Sequence, residues 1–152
     1  MAQEEIGRPS SFEDGELMKK KLRLSTFQIG DSPRRGQGLR IGVTRRPPRG
    51  VPKSRWVKDG YFDLWLPALA PSASLLKRFQ KRLFTGDPAV RAAFFDSYER
   101  ELLATAEGRQ NVELLAEVAA RTPISIGCFC ADGSRCHRSR LLKILERHAP
   151  KA

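Results

Sequence analysis

The residues best suited to chemistry in this chain lie within one short segment, residues 128–138. The segment reads Cys-Phe-Cys-Ala-Asp-Gly-Ser-Arg-Cys-His-Arg and contains all three cysteines of the chain and one of its two histidines. An apolar stretch typical of a strand precedes it, and a stretch typical of a helix, residues 139–148, follows it. Thiols, an imidazole and two arginines therefore meet at a predicted strand-to-helix turn, where the N-terminus of a helix favours anions.

One interpretation of this turn is a metal site. Thiolate and imidazole ligands suit zinc or iron, and four candidate ligands are present: Cys128, Cys130, Cys136 and His137. The spacing is irregular, however, and the adjacent pair Cys136 and His137 would need strained geometry to bind one ion. We therefore assign no metal ligands from the sequence.

A second interpretation is a reactive thiol. Cys136 lies near the predicted helix N-terminus between Arg135 and Arg138, and both features favour a thiolate. His137 would serve as its acid or base, so Cys136 and His137 are the catalytic candidates. No arginine follows any of the cysteines by six positions, which argues against the loop of a cysteine phosphatase.

Two further interpretations need no reaction at the turn. The free amides at the start of the helix could hold a phosphate, with Arg135 and Arg138 supplying charge. Alternatively the cysteines are small core residues, which is the commoner role for a residue such as Cys128 on a buried strand. We favour anion binding, because it accounts for the arginines best.

A second basic segment strengthens the anion hypothesis. Between residues 34 and 58 the chain has nine basic residues and no acid: Arg34, Arg35, Arg40, Arg45, Arg46, Arg49, Lys53, Arg55 and Lys58. The net charge is +11 although residues 1–16 are acidic, with five acids and one arginine. Such a field attracts phosphorylated molecules or nucleic acid.

The elements that would position these residues are predicted from periodicity and turn signals. Strands are expected at residues 21–29, 39–43 and 123–129, and a proline-rich loop at residues 44–52. Helices are expected after Pro71-Ser72, after Asp87-Pro88, over residues 110–121 and at residues 139–148. We expect residues 1–16 to be a disordered tail and residues 17–152 to form a single compact α/β domain, with a small, partly parallel sheet and flanking helices.

If the strands before the two basic segments are parallel, both segments leave the same edge of the sheet. Ligands of open α/β sheets gather at that edge. The hypothesis is therefore an anion-binding crevice for a phosphorylated or nucleotide-like small molecule. Its anion-binding candidates are Arg45, Arg46, Arg49, Arg135 and Arg138.

Two other functions stay open. The basic residues from Arg34 to Lys58 could bind nucleic acid, with Trp56, Tyr61, Phe62 and Trp65 stacking on bases, although these aromatic residues fit a core better. A thiol-based metal or redox protein is the third possibility. Asp59 and Asp63, the acids nearest the basic loop, could pair with Arg45 or Arg46 or act as acid/base groups.

Several blocks of this sequence resemble a bacterial family, the domain of unknown function 488 (DUF488). The blocks are Arg40 to Val51, Asp63-x-Trp65-Leu66, Leu69-Ala70-Pro71-Ser72, Phe95-x-x-Tyr98-x-x-Glu101-Leu102 and the closing Cys128…Cys136-His137-Arg138. The resemblance extends from about residue 21 to residue 148 and implies a compact cytosolic α/β fold without a settled activity. Cofactors, substrate and oligomeric state are not predicted. No apolar run reaches the length of a membrane span and no signal pattern is seen at the start, so the expected location is cytoplasmic.

Overall fold

The computed structural model describes residues 18–152, and the predicted acidic tail, residues 1–16, lies outside them. The fold is built on a sheet of four strands in the order β1-β4-β2-β3. The strands are β1 (Leu24–Gln28), β2 (Leu39–Gly42), β3 (Leu64–Trp65) and β4 (Ile124–Cys128). All neighbouring pairs are parallel, so the sheet is fully rather than partly parallel.

Three of the four strands were predicted from their alternating or apolar patterns, each within three residues of its observed ends. The fourth, β3, has only two residues and is too short to give a periodic signal. It pairs with β2 at the edge of the sheet, where Ile41 is opposite Leu64.

Five α-helices complete the fold of residues 18–152. They are α1 (Lys53–Trp56), α2 (Ala73–Leu83), α3 (Pro88–Leu103), α4 (Ala106–Arg121) and α5 (His137–Arg147), with short 3-10 turns at Pro67–Leu69 and Gly133–Arg135. The N-cap side chains of Ser72, Asp87 and Thr105 each accept a backbone hydrogen bond at the start of α2, α3 and α4. Helix α4 begins at Ala106, four residues before the predicted position, because its cap, Thr105, precedes the first apolar residue of the periodic pattern. The last helix, α5, begins two residues earlier than expected.

The two faces of the sheet carry cores of different size. Residues of helices α2 to α5 pack on the face that bears Ile41, Ile124 and Ile126, which are fully buried. On the opposite face, a smaller core of Phe27, Ile29 and Phe62 packs with Trp56, Tyr61 and Trp65. This agrees with the interpretation of these aromatic residues as core, rather than as a stacking surface for bases.

Glycines keep the second face closely packed. A Cβ on Gly127 would lie 2.2 Å from Cζ of Phe27, and a Cβ on Gly42 would lie 2.7 Å from Cδ2 of Phe62. The guanidinium of Arg40 stacks 4.1 Å from the centre of the Phe27 ring. Only glycine leaves room for these aromatic rings against the sheet.

Among residues 18–152, none of the helices has the length and apolar character needed to cross a membrane.

Candidate functional site

The parallel sheet brings the two predicted segments to one edge. Strands β2 and β4 are hydrogen-bonded in parallel, with Gly42 opposite Gly127, so the segments that follow them leave the sheet side by side. A hydrogen bond of 2.8 Å joins Nε2 of His137 to the carbonyl oxygen of Val43. This bond links the cysteine turn directly to the residue that follows β2.

All three thiols converge at this edge. Cys128 ends β4, Cys130 lies in the loop and Cys136 is the N-cap residue of α5. Their sulfur atoms all lie within 4.8 Å of one another, and those of Cys128 and Cys130 are 3.9 Å apart. The three cysteines are free, and only Cys130 is exposed.

Two residues of this turn are deeply buried, although residues of polar turns are usually exposed. In the structure the exposed fraction is only 2% for Cys136 and 7% for His137. His137 is the first residue of α5, and the ring of Tyr98 packs edge-on against its imidazole, with the ring centres 5.3 Å apart.

Hydrogen bonds among the thiols couple their ionisation. The pKa of Cys128 is lowered, chiefly by hydrogen bonding with the thiol of Cys130 and then with that of Cys136. The pKa of Cys130 and that of Cys136 are raised, chiefly by the same hydrogen bonds, which require both groups to stay protonated. The pKa of Cys128 is therefore shifted in the opposite direction from the pKa values of Cys130 and Cys136.

The imidazole of His137 is neutral and fixed in orientation. Burial lowers its pKa, since a charged ring would lose its hydration. Because the carbonyl of Val43 can only accept, the hydrogen is on Nε2, and Nδ1 faces Sγ of Cys136 at 3.5 Å. The two catalytic candidates are thus adjacent, but both are buried, and the raised pKa of Cys136 favours its thiol form.

Arg138 is the arginine that the fold places inside the protein. Its exposed fraction is 3%, its Nη1 donates to the carbonyl oxygen of Cys130 at 2.7 Å, and its Nε is buried without a partner among residues 18–152. Gly133 lies against the guanidinium, since a Cβ there would be 3.1 Å from Nη2. Arg138 lines a cavity of about 260 Å³.

The cavity beside Arg138 is mostly polar. It lies at the carboxyl end of β1, and its lining includes Gln28, Asp31, Arg34, Gln37, Ala131 and Gly133. Its charged side chains are Arg34, Arg138 and Asp31. We refer to this space as the Arg138 cavity.

The other predicted arginines lie elsewhere. Arg135 is exposed and forms an ion pair with Asp132 at 3.3 Å. Arg46 and Arg49 are exposed, and Arg45 lines a separate cavity with Tyr98 and Glu101. The parallel sheet brings the two segments to one edge, but Arg45 and Arg138 line different cavities, and Arg46 and Arg49 line neither of them.

The acids near the basic loop have other partners than those considered. Asp63 accepts a hydrogen bond from the backbone amide of Arg40 at 2.8 Å, and Asp59 pairs with Arg55 at 2.9 Å. Arg40 itself is buried, and its guanidinium donates to the carbonyls of Gly60 and Asp31. One of the nine basic residues is therefore structural rather than part of a charged surface.

Three features of the site were not predicted from the sequence. Cys130 is the exposed thiol, Gln37 borders the Arg138 cavity, and Arg34 was noted only as one of many basic residues. The one available signal was the turn-rich stretch at residues 30–38 directly after the first predicted strand, because such loops border the ligand edge of a parallel sheet.

No curated protein and no solved structure matches this chain. The model of one protein family does match, over residues 24–149, and it is described as DUF488-N3a, the active DUF488-N3 subclade. The match covers all four strands, all five helices and the cysteine turn, and it agrees with the resemblance seen in the sequence blocks. The chain therefore belongs to the DUF488 family, in the DUF488-N3a subclade.

Proposed function

We propose that the Arg138 cavity binds a small anionic molecule, of the phosphorylated or nucleotide-like class. The observation that carries the proposal is the guanidinium of Arg138, which is almost fully buried and has a donor without a partner among residues 18–152. Burying a charged group with an unsatisfied donor is costly unless a partner is supplied. A bound oxyanion supplies both the charge and the acceptor.

The orientation of Arg138 supports this role. One side of the guanidinium is held by the carbonyl of Cys130, which leaves the Nε and Nη2 edge toward Gly133. Two parallel donors on one edge are the geometry by which arginine binds phosphate and carboxylate groups. Glycine at position 133 adds no side chain against this edge, where a Cβ would lie 3.1 Å from Nη2.

Size and charge narrow the ligand class. The cavity volume of about 260 Å³ is slightly below the range of roughly 300–1,000 Å³ that is usual for drug-sized ligands. A compound the size of a sugar phosphate suits this volume better than a dinucleotide does. With Arg34 and Arg138 against Asp31, the lining has a net charge of one positive unit, which fits a small anion.

The nucleic-acid alternative receives less support. Most of the basic side chains between residues 34 and 58 are exposed, as nucleic-acid binding requires. Trp56, however, packs edge-on against Phe62 and Trp65, with ring centres 5.6 Å and 5.4 Å apart. Binding of single strands without sequence preference commonly uses free aromatic faces together with positive charge. Of these two features, only the exposed positive charge is available for nucleic acid in this protein.

The test is calorimetric titration of the reduced chain with inorganic pyrophosphate and with ribose 5-phosphate. Arg34→Gln removes an exposed charge at the mouth of the cavity and should weaken binding about tenfold to a hundredfold, the usual effect of one charge-assisted hydrogen bond. Arg138→Lys keeps the charge but loses the planar edge, and should weaken binding at least as much.

Arg49→Gln is the matched control, since Arg49 is an exposed arginine of the predicted loop and does not border the cavity. The Arg49→Gln variant should bind pyrophosphate and ribose 5-phosphate with the same affinity as the unmodified chain. The proposal fails if neither anion binds, or if Arg49→Gln weakens binding while Arg34→Gln does not. The second result would indicate that the anion binds at the loop of residues 45–49 and not in the Arg138 cavity.

A further inference from the structure

The three thiols lie in an arrangement that packing alone does not require. They are the only cysteines of the chain, and they come from the end of β4, from the loop and from the N-cap of α5. Cys128 and Cys136 are buried, but Cys130 is exposed and gains little from apolar burial. A packing role explains two of these residues and leaves the third without a reason to be cysteine.

We propose that Cys128, Cys130 and Cys136 together bind one thiophilic divalent cation, with zinc as the fitting ion. The proposal is independent of anion binding in the Arg138 cavity. It also differs from the four-ligand set considered in the sequence, because the convergent set of ligand atoms contains the three sulfurs and not His137.

The distances between the sulfurs fit this ion. Zinc–sulfur bonds of about 2.3 Å place two thiolates roughly 3.8 Å apart in a tetrahedral site and about 4.0 Å apart in a trigonal one. The sulfurs of Cys128 and Cys130 are 3.9 Å apart, and all three lie within 4.8 Å of one another. Small side-chain rotations are therefore enough to bring three sulfurs to one ion.

The surroundings balance the charge of such a site. Three thiolates and one divalent cation have a net charge of one negative unit. Cys136 is the N-cap of the eleven-residue helix α5, whose N-terminus favours negative charge. Arg138 adds a buried positive charge, held through the backbone carbonyl of Cys130.

The fourth position of the ion would face solvent beside Cys130. Three protein ligands with one open position are typical of zinc sites that bind water or a substrate, whereas closed structural sites have four protein ligands. The exposed thiol thus supplies a ligand at the surface while the two buried thiols hold the ion from within.

The experiment uses the full chain, reduced and stripped of metal. Titration with zinc against a chromophoric chelator should give one ion per chain, and titration with cadmium should give ultraviolet sulfur-to-metal absorption that saturates at the same ratio. Cys130→Ser should weaken zinc binding by about a hundredfold or more, since it removes one of three ligands. Because Cys130 is exposed, this variant should fold normally, and circular dichroism checks that it does.

Two control variants isolate the ligands. Ser134→Ala changes an exposed polar residue of the same turn and should bind zinc like the unmodified chain. Arg34→Gln should also leave zinc binding unchanged while it weakens anion binding, so the two proposals can fail separately. The metal proposal is overturned if the reduced chain binds no stoichiometric zinc, or if Cys130→Ser binds zinc as tightly as the unmodified chain. It is also overturned if mass spectrometry finds a disulfide as the stable state and reduction of that disulfide does not restore zinc binding.

Discussion

Tyr98 provides a sharp test of how the site is supported. It is 1% exposed, and its hydroxyl donates a 2.6 Å hydrogen bond to the carbonyl oxygen of Leu69, in the 3-10 turn before α2. Its ring also packs against His137. Tyr98→Phe removes the hydroxyl but keeps the ring, so the change isolates the hydrogen bond from the packing.

The expected cost follows from the acceptor that is left behind. The carbonyl of Leu69 would lose its buried donor, and an unsatisfied buried polar group costs about 1–3 kcal/mol. Removal of a hydroxyl creates little empty volume, so no large cavity cost is added. For a chain of this size, a loss of about 2 kcal/mol should lower Tm by roughly 4–8 °C.

The assay is urea unfolding followed by tryptophan fluorescence and by circular dichroism, which should give coincident transitions. Tyr61→Phe is the matched control, because Tyr61 is the only other tyrosine and its hydroxyl has no hydrogen-bond partner in the described part of the chain. Its free energy of unfolding should change by less than about 0.5 kcal/mol. If Tyr98→Phe changes stability as little as Tyr61→Phe does, the hydrogen bond to Leu69 is not sealed from water and the reasoning is refuted.

Two further predictions concern the site and the second core. Burial lowers the pKa of His137 from its ordinary value near 6.5. The stability that the neutral imidazole contributes is therefore fully present above that pH. As the pH falls below it, the free energy of unfolding should decrease by at most about 1.4 kcal/mol per pH unit. The free energy of unfolding, measured from pH 7 to pH 5 on the reduced, metal-free chain, should depend less steeply on pH in His137→Gln, whose amide can keep the hydrogen bond to Val43. Equal slopes in the two proteins would contradict the assignment of this pH dependence to His137. Gly127→Ala should destabilise the chain by about 1–3 kcal/mol, because the added Cβ would lie 2.2 Å from Cζ of Phe27. Ser125→Ala is the control on the same strand. It should be neutral or stabilising, since the buried hydroxyl of Ser125 has no hydrogen-bond partner in residues 18–152. Equal effects of the two substitutions on stability would refute the clash between the added Cβ and Phe27.

Local patterns in the sequence predicted much of the fold. The cap residues and apolar spacing of α2 and α3 gave their starts correctly, because a helix N-terminus depends on residues within one turn of it. The apolar stretch at residues 123–129 gave the central strand for a similar reason. The start of α4 was misplaced because its first turn, which includes Gly108, has no apolar periodicity, and β3 is too short to show any.

The sequence placed the candidate residues in one turn but did not show which of them are buried. Arg135 and Arg138 are three residues apart and look equivalent in the sequence, yet Arg135 is exposed beside Asp132 and Arg138 is buried against Cys130. The direction of each side chain depends on where α5 begins and on what packs against it. The same holds for Arg40, whose partners Gly60 and Asp31 are distant in sequence.

The sequence by itself determined that thiols, an imidazole and arginines gather at one strand-to-helix turn, since adjacency in the chain guarantees their proximity. It also determined the α/β class, because alternating strand and helix periods permit few other arrangements. Only the tertiary structure decided that three sulfurs meet within 4.8 Å, that Cys130 is the exposed one, and that Arg34 rather than Arg45 shares a cavity with Arg138. These features depend on strand order and side-chain burial, which are set by contacts between segments that the chain itself keeps far apart.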